Sequence, residues 1–295
     1  GTVEAEGHTP DELWSAANAI YREAKSYADQ EASVKLWQAA ADRGHLMAQY
    51  SLAGCLREGH GIAQDKTAAL ALYEDLATNH KHAGATHALA LMLRAGDGCE
   101  PDPARARALF EKLAHAGIVP AMHVLGAMVA SGEGGGEGDE AAAAEWFRRG
   151  AEKGDPLCAF ALAVYTCAGR GGIAQDSREG FRLHNGVARS GMPQAMFNLG
   201  CHYFAGQGVG QDVKEAAYWW ELAADRGMPQ AMLNLGKMHA QGLGVQQDEQ
   251  RALRWYCRAV GGEVSPEEAE QALKLLMQKM ELEHSGDVDQ GQRRS

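Results

Sequence analysis

The chain has 295 residues, of which 45% are apolar, and a formal net charge of −11. The apolar share excludes a disordered chain, the acidic balance works against a phosphate backbone as partner, and no apolar run reaches the ~18 to 20 residues of a membrane span. Only 7% of residues are aromatic and Ala is abundant, which favours helices packed at close range, so the 36 Gly residues have to fall between helices.

Residues 1–8 lack apolar pattern and are expected to be flexible, with Gly1-Thr2-Val3 read as a processed end that a targeting segment could have preceded. Thr9-Pro10-Asp11-Glu12 then spells an N-cap, a first-turn Pro and two acids, which predicts a helix. From here the chain repeats itself. Asp65, Asp102, Asp139, Asp176, Asp212 and Asp248 follow one another at intervals of 37, 37, 37, 36 and 36, and Asp29 lies 36 before the first of them. Seven units result, near 10–45, 46–82, 83–117, 118–154, 155–191, 192–227 and 228–262.

Each unit reads as two helices. The first carries a Leu beside a small residue, as in Leu52-Ala53, Leu125-Gly126 and Leu199-Gly200, and seven residues later a Gly stands where a left-handed C-terminal residue would end it. A Gly-rich loop leads to the Asp, placed to cap the second helix. Glu179 and Glu215, three residues after Asp176 and Asp212, have capping-box spacing. Eight residues after each Asp comes a ring: Trp37, Tyr73, Phe110, Phe147, His184, Trp220 and Tyr256, of which only His184 is not large and apolar. Ser265-Pro266-Glu267-Glu268 starts a last helix over 266–283 that should cap the array, and 285–295 should be a mobile tail. No segment alternates with period two, so the fold class is all-α: a stacked array of about seven helix-turn-helix units plus a capping helix, one domain over 9–284.

The segment Gln194-Ala195-Met196-Phe197-Asn198-Leu199-Gly200, followed by Gly206-Gln207-Gly208-Val209, Asp212, Ala216-Ala217, Trp219-Trp220, Ala223-Ala224 and Gly227, resembles the Sel-1-like repeat, a relative of the tetratricopeptide repeat. The resemblance covers about nine-tenths of the chain, and the first unit departs from it with a short loop that lacks the Gly pair. It implies a right-handed α/α superhelical solenoid and a protein-binding module, since members of the family serve signalling, secretion quality control and organelle assembly.

The glycine strings lack the preceding strand and the Gly-Lys-Ser/Thr of a phosphate loop. His80, His82 and His87 cluster in sequence, but no metal or cofactor is expected from them. The six cysteines are scattered without a CxxC and are read as reduced thiols of a soluble intracellular protein, in the cytoplasm or in an organelle after loss of a targeting segment, with the periplasm as the weaker alternative. Cys158 and Cys167 stand too far apart along one helix to bridge. No nucleophile–base pair emerges, so no catalytic residue is assigned and the protein is not expected to be an enzyme.

By analogy with tetratricopeptide arrays, a partner protein or peptide should lie on the concave face lined by the first helices. Two residues before each repeat Leu stand Tyr50, His87, His123, Phe160, Phe197 and Leu233; five after it stand Arg57, Arg94, Ala130, Cys167, Phe204 and Ala240. The expected binding residues are Tyr50, Arg57, His87, Arg94, His123, Phe160, Phe197, Cys201, Phe204 and Lys237, with the arginines suited to partner carboxylates. The alternative is a structural subunit of a large assembly that uses its outer face and caps, and a hydrolytic enzyme comes third. Nucleic acid and membrane insertion are not expected.

Overall fold

The computed structural model describes residues 7–260, 271 and 274–278, and no strand occurs among them. Over described residues 7–260 the helices follow in pairs: α1 (Pro10–Glu23) and α2 (Tyr27–Ala41), α3 (Leu46–Glu58) and α4 (Lys66–Thr78), α5 (Ala83–Ala95) and α6 (Pro103–His115), α7 (Val119–Ser131) and α8 (Glu140–Glu152), α9 (Pro156–Ala168) and α10 (Ser177–Ala188), α11 (Pro193–Ala205) and α12 (Val213–Asp225), α13 (Pro229–Gln241) and α14 (Glu249–Val260). The chain divides into two compact units, residues 1–146 and 147–295. The expected flexible start and mobile tail fall, but for Gly7 and His8, outside the described residues. Of the expected capping helix, residues 271 and 274–278 are described and helical, and Leu276 is buried in the core of the second unit.

From the second repeat onward the repeat Asp organises the hairpin. Its carboxylate accepts backbone N–H groups in the first turn of the second helix, as from Asp65 to Ala68, Asp102 to Arg105 and Asp212 to Lys214 and Glu215. Its own N–H donates back to the first helix, always to the carbonyl four residues past the repeat Leu: Leu56, Leu93, Val129, Thr166, Tyr203 and His239, at 2.7 to 3.0 Å. One residue therefore satisfies orphan groups at the end of one helix and the start of the next. The residue before it helps, since Gln64, Gln175, Gln211 and Gln247 donate to the carbonyls of Arg57, Cys167, Phe204 and Ala240.

Two local expectations need correction. At Asp176 and Asp212 the capping box does not close, because the cap N–H is already spent on Thr166 and Tyr203, and Glu179 turns to Arg182 with two hydrogen bonds of 2.6 and 2.7 Å. In the first repeat Asp29 is not the cap: Ser26 is, and Asp29 closes a true capping box from N3, leaving no room for a Gly loop between α1 and α2. Thr9 and Glu12 form a second such box at the head of α1.

The first glycine of each loop, Gly59, Gly96, Gly132, Gly169, Gly206 or Gly242, ends its helix with φ between +68° and +79°. The second glycine has a different task. Within the units, Gly61, Gly98, Gly134, Gly208 and Gly244 press on the first turn of the second helix of the preceding repeat, and a Cβ there would enter its backbone at Gln30, Lys66, Pro103, Ser177 and Val213. The loop therefore joins one repeat to the one before it. The rest is core: the ring eight residues past each Asp is 0% to 4% exposed in every repeat, His184 included. Around these rings lie small residues, such as Ala216, Ala217, Ala223 and Ala224, which let the helix axes approach.

Gly208 and Gly210 make a matched test. Gly208→Ala adds a left-handed alanine and a clash with Ser177, and should lower unfolding stability by about 2 kcal/mol or more. Gly210 has open space around its Cβ position and no positive φ, so Gly210→Ala should change stability by less than ~0.5 kcal/mol. Urea unfolding of both variants, followed by circular dichroism, checks the contrast.

Candidate functional site

In the first unit the expected face is largely committed to internal contacts. Tyr50 lies against Tyr73 at 5.7 Å and stacks on His82 at 4.9 Å, and His87 meets Phe110 edge-on at 5.5 Å. Tyr50 and His87 thus each pack on the ring of their own second helix. Arg57 pairs with Glu58, and Arg94 grips Glu133 of the next loop with two 2.7 Å hydrogen bonds. Both arginines already hold a carboxylate. His123 is half-buried and has contacts of its own. His80 lies beside Asp75, His82 caps α5 and His87 turns to Phe110, so the sequence cluster of three imidazoles is dispersed in space.

In the second unit the ring pattern continues through Phe160 on His184 at 5.6 Å and Phe197 on Trp220 at 6.4 Å, with the Trp220 indole N–H donating to the Phe197 carbonyl. Here, however, the first-helix face opens into two hollows. One, of about 330 Å³, is lined by Cys201, Phe204, Trp220, Lys237, Met238 and Leu243, with Ala205, Asn234 and Gln241 at its sides. Phe204 is 37% exposed and Leu243 41%. Lys237 is exposed and has no ion pair among the described residues. Three expected residues, Cys201, Phe204 and Lys237, are thereby brought together, whereas Phe160 and Phe197 serve mainly as packing beneath.

The other hollow, of about 290 Å³, is lined by Val164, Cys167, Ala168, His184, Asn198, Cys201, His202 and Gln207. Among the described residues it contains the one group of three potential metal ligands, Cys167, His184 and His202, whose ligand atoms lie within 4.8 Å of one another. His184 Nδ1 is 3.1 Å from His202 Nε2, Cys167 Sγ is 3.6 Å from the same nitrogen, and His202 Nδ1 is 2.7 Å from the Gln207 carbonyl. Burial, and then the neighbouring His202, push the His184 imidazole down to about 4, so it is neutral at physiological pH. Burial and Asp176 raise the Cys167 thiol.

Sequence reading noted that His184 breaks the ring column and that Cys167 lines the first-helix face, but it did not notice His202. The signal was present as a column rather than a motif: three residues past the repeat Leu stand Cys55, Met92, Met128, Tyr165, His202 and Met238. Because the three side chains come from three successive helices, no short spacing announces them.

The Sel1 repeat profile matches residues 24–45, 46–78, 83–118, 119–155, 156–185, 193–228 and 229–260. The chain belongs to the Sel1 repeat family. Among solved structures it is similar to a Sel1 repeat protein from Oxalobacter formigenes, with 27% identity and a TM-score of 0.76 over 84% of this chain and 98% of that one. It shares its fold with a protective antigen of uropathogenic Escherichia coli, at 24% identity and a TM-score of 0.74 over 87% of this chain. The matched part is 54% of that antigen's length. A comparison with curated proteins gave no match. Sel1 repeats generally serve as protein-interaction scaffolds and are typically non-catalytic. Among the described residues no helix is long and apolar enough to cross a membrane.

His87 offers a test of how the face is packed. Its Nε2 is buried with no hydrogen-bond partner, and burial holds its protonation below the ordinary 6.5. The unfolded chain therefore takes up the proton first, and the contribution of the neutral ring, present above pH ~6.5, is lost as pH falls. His87→Phe, the residue that Phe160 and Phe197 supply in the same column, should melt at least as high as wild type at pH 7.5. Its advantage should widen towards pH 5 in thermal melts at several pH values.

Proposed function

We propose that this Sel1 array is a non-catalytic scaffold whose second unit holds a segment of a partner protein on its first-helix face, across α11 and α13. The observation that carries the reading is the hollow of Phe204, Trp220 and Leu243 with Lys237 at its edge. An exposed ring such as Phe204, beside a pit lined by apolar side chains, forms the usual anchor of an interface. An ammonium group without an internal partner selects a carboxylate. The preferred segment therefore carries a large apolar side chain next to Asp or Glu. Arg57 and Arg94, already engaged with Glu58 and Glu133, fit a smaller role in the first unit than the one expected from sequence.

Selection of displayed random peptides on the folded chain tests this. Enriched peptides should share an aromatic or aliphatic anchor near an acid. Phe204→Ala should weaken them by more than ~1 kcal/mol, and Lys237→Glu should remove the preference for the acid, both with an unchanged melting temperature. Peptides that bind the folded Phe204→Ala variant at full affinity would move the site off this face and favour the outer face of a structural subunit.

A further inference from the structure

The repeats of this chain serve as controls for one another, because the same backbone positions recur in each. By that comparison the fifth repeat and its junction with the sixth are unusual. Eight residues past the Asp, where the other repeats place Trp, Tyr or Phe, stands His184. Three past the Leu, where four of the six columns' members are Met or Cys, stands His202. Four past the Asp the other repeats have Ser33 or Ala69, Ala106, Ala143, Ala216 and Ala252, but here there is Gly180, and a Cβ on it would collide with Cys167 Sγ. These three departures and Cys167 meet at one point in space. Packing needs none of them, since apolar rings, Met and Ala fill the same positions elsewhere, and burying two imidazoles there costs stability unless their polar atoms are used.

We propose that Cys167, His184 and His202 form a binding site for a divalent metal ion of the zinc type, with the fourth coordination position open to the hollow. A tetrahedral zinc with bonds of about 2.05 Å to nitrogen and 2.3 Å to sulfur sets ligand edges of about 3.3 Å for N···N and 3.6 Å for N···S. The observed edges are 3.1 Å for His184 Nδ1 to His202 Nε2 and 3.6 Å for Cys167 Sγ to His202 Nε2. The remaining pair, within 4.8 Å, closes by a modest side-chain rotation.

The hydrogen bonds around the cluster favour the same assignment. The Gln207 carbonyl can only accept, so His202 Nδ1 carries its proton and Nε2 turns a lone pair to the centre. Asn198 lies 3.1 Å from His184 Nε2 through its amide. Without metal, the amide donates to Nε2 and His184 Nδ1–H donates to His202. On binding, the Nδ1 proton passes to Nε2, the Asn198 amide turns its oxygen to accept it, and Cys167 releases its thiol proton to solvent as the sulfur–metal bond forms. A thiolate with two imidazoles suits zinc over magnesium or calcium, and three protein ligands with a free position are the arrangement that admits a water or other outside ligand. The sequence alone offers no such site, because its three residues come from three separate helices.

Cobalt(II) and zinc titrations of the metal-stripped chain decide the question. Wild type should take up one cobalt per chain with a thiolate-to-cobalt charge-transfer band, and one equivalent of zinc should abolish that band. Cys167→Ala should lack the band, while His184→Phe and His202→Met should weaken cobalt binding at least tenfold. The triple variant restores residues that sister repeats carry at these positions, so it should fold with wild-type dichroism, and zinc should raise the melting temperature of wild type alone. A wild type without the band, a band that persists in Cys167→Ala, or an equal zinc shift in the triple variant overturns the site. Should His202→Met fail to fold, the Cys167→Ala and His184→Phe measurements decide by the same criteria.

Discussion

The structure depends first on the two-sided use of one aspartate. Its carboxylate caps the second helix of a repeat while its N–H closes the end of the first, so the two helices are held at a fixed offset by a single residue. Each cap contributes on the order of 1 kcal/mol, which is modest for one hairpin and large when six repeats carry it. Repeats gain stability from neighbours as well as from themselves. Here the neighbour term includes the second loop glycine, which lies against the preceding repeat where no side chain would fit.

That rigid frame explains how function can be changed locally. The inner positions of each hairpin need only a ring, a Leu and small residues, and the array tolerates variation wherever these are kept. Along the first-helix face of the second unit the variation yields an apolar hollow with a free lysine, and one repeat earlier a hollow with a thiol and two imidazoles. Cys201 lines both, so an occupant of one has a neighbour in the other. In the first unit the same columns are filled by ring pairs and by Arg94 with Glu133, which leaves less for a partner to engage.

The capping details show why a spacing is not yet an interaction. Glu179 stands where a capping box would place it, but the N–H it would accept is already donated to Thr166, and Arg182 offers a better partner. Asp29 has the register of the other aspartates and a different role, because the chain arrives there without a glycine loop and Ser26 takes the cap.

The sequence by itself determined the fold. Aspartates at intervals of 36 and 37, glycines at helix ends and rings eight residues past each Asp are local signals, and every hairpin needs the same ones, so six copies state the pattern plainly. It also put Cys201, Phe204 and Lys237 on one face, because a face is set by helical periodicity alone. What only the tertiary structure decided was which side chains on that face are spare. Arg57 and Arg94 read as free in the sequence, yet one is taken by the adjacent Glu58 and the other by Glu133 of the next repeat. Cys167, His184 and His202 read as unrelated, and they converge because α9, α10 and α11 bring residues 17 and 18 apart onto one point. Pairings of this kind depend on distances between helices, and no single helix encodes those.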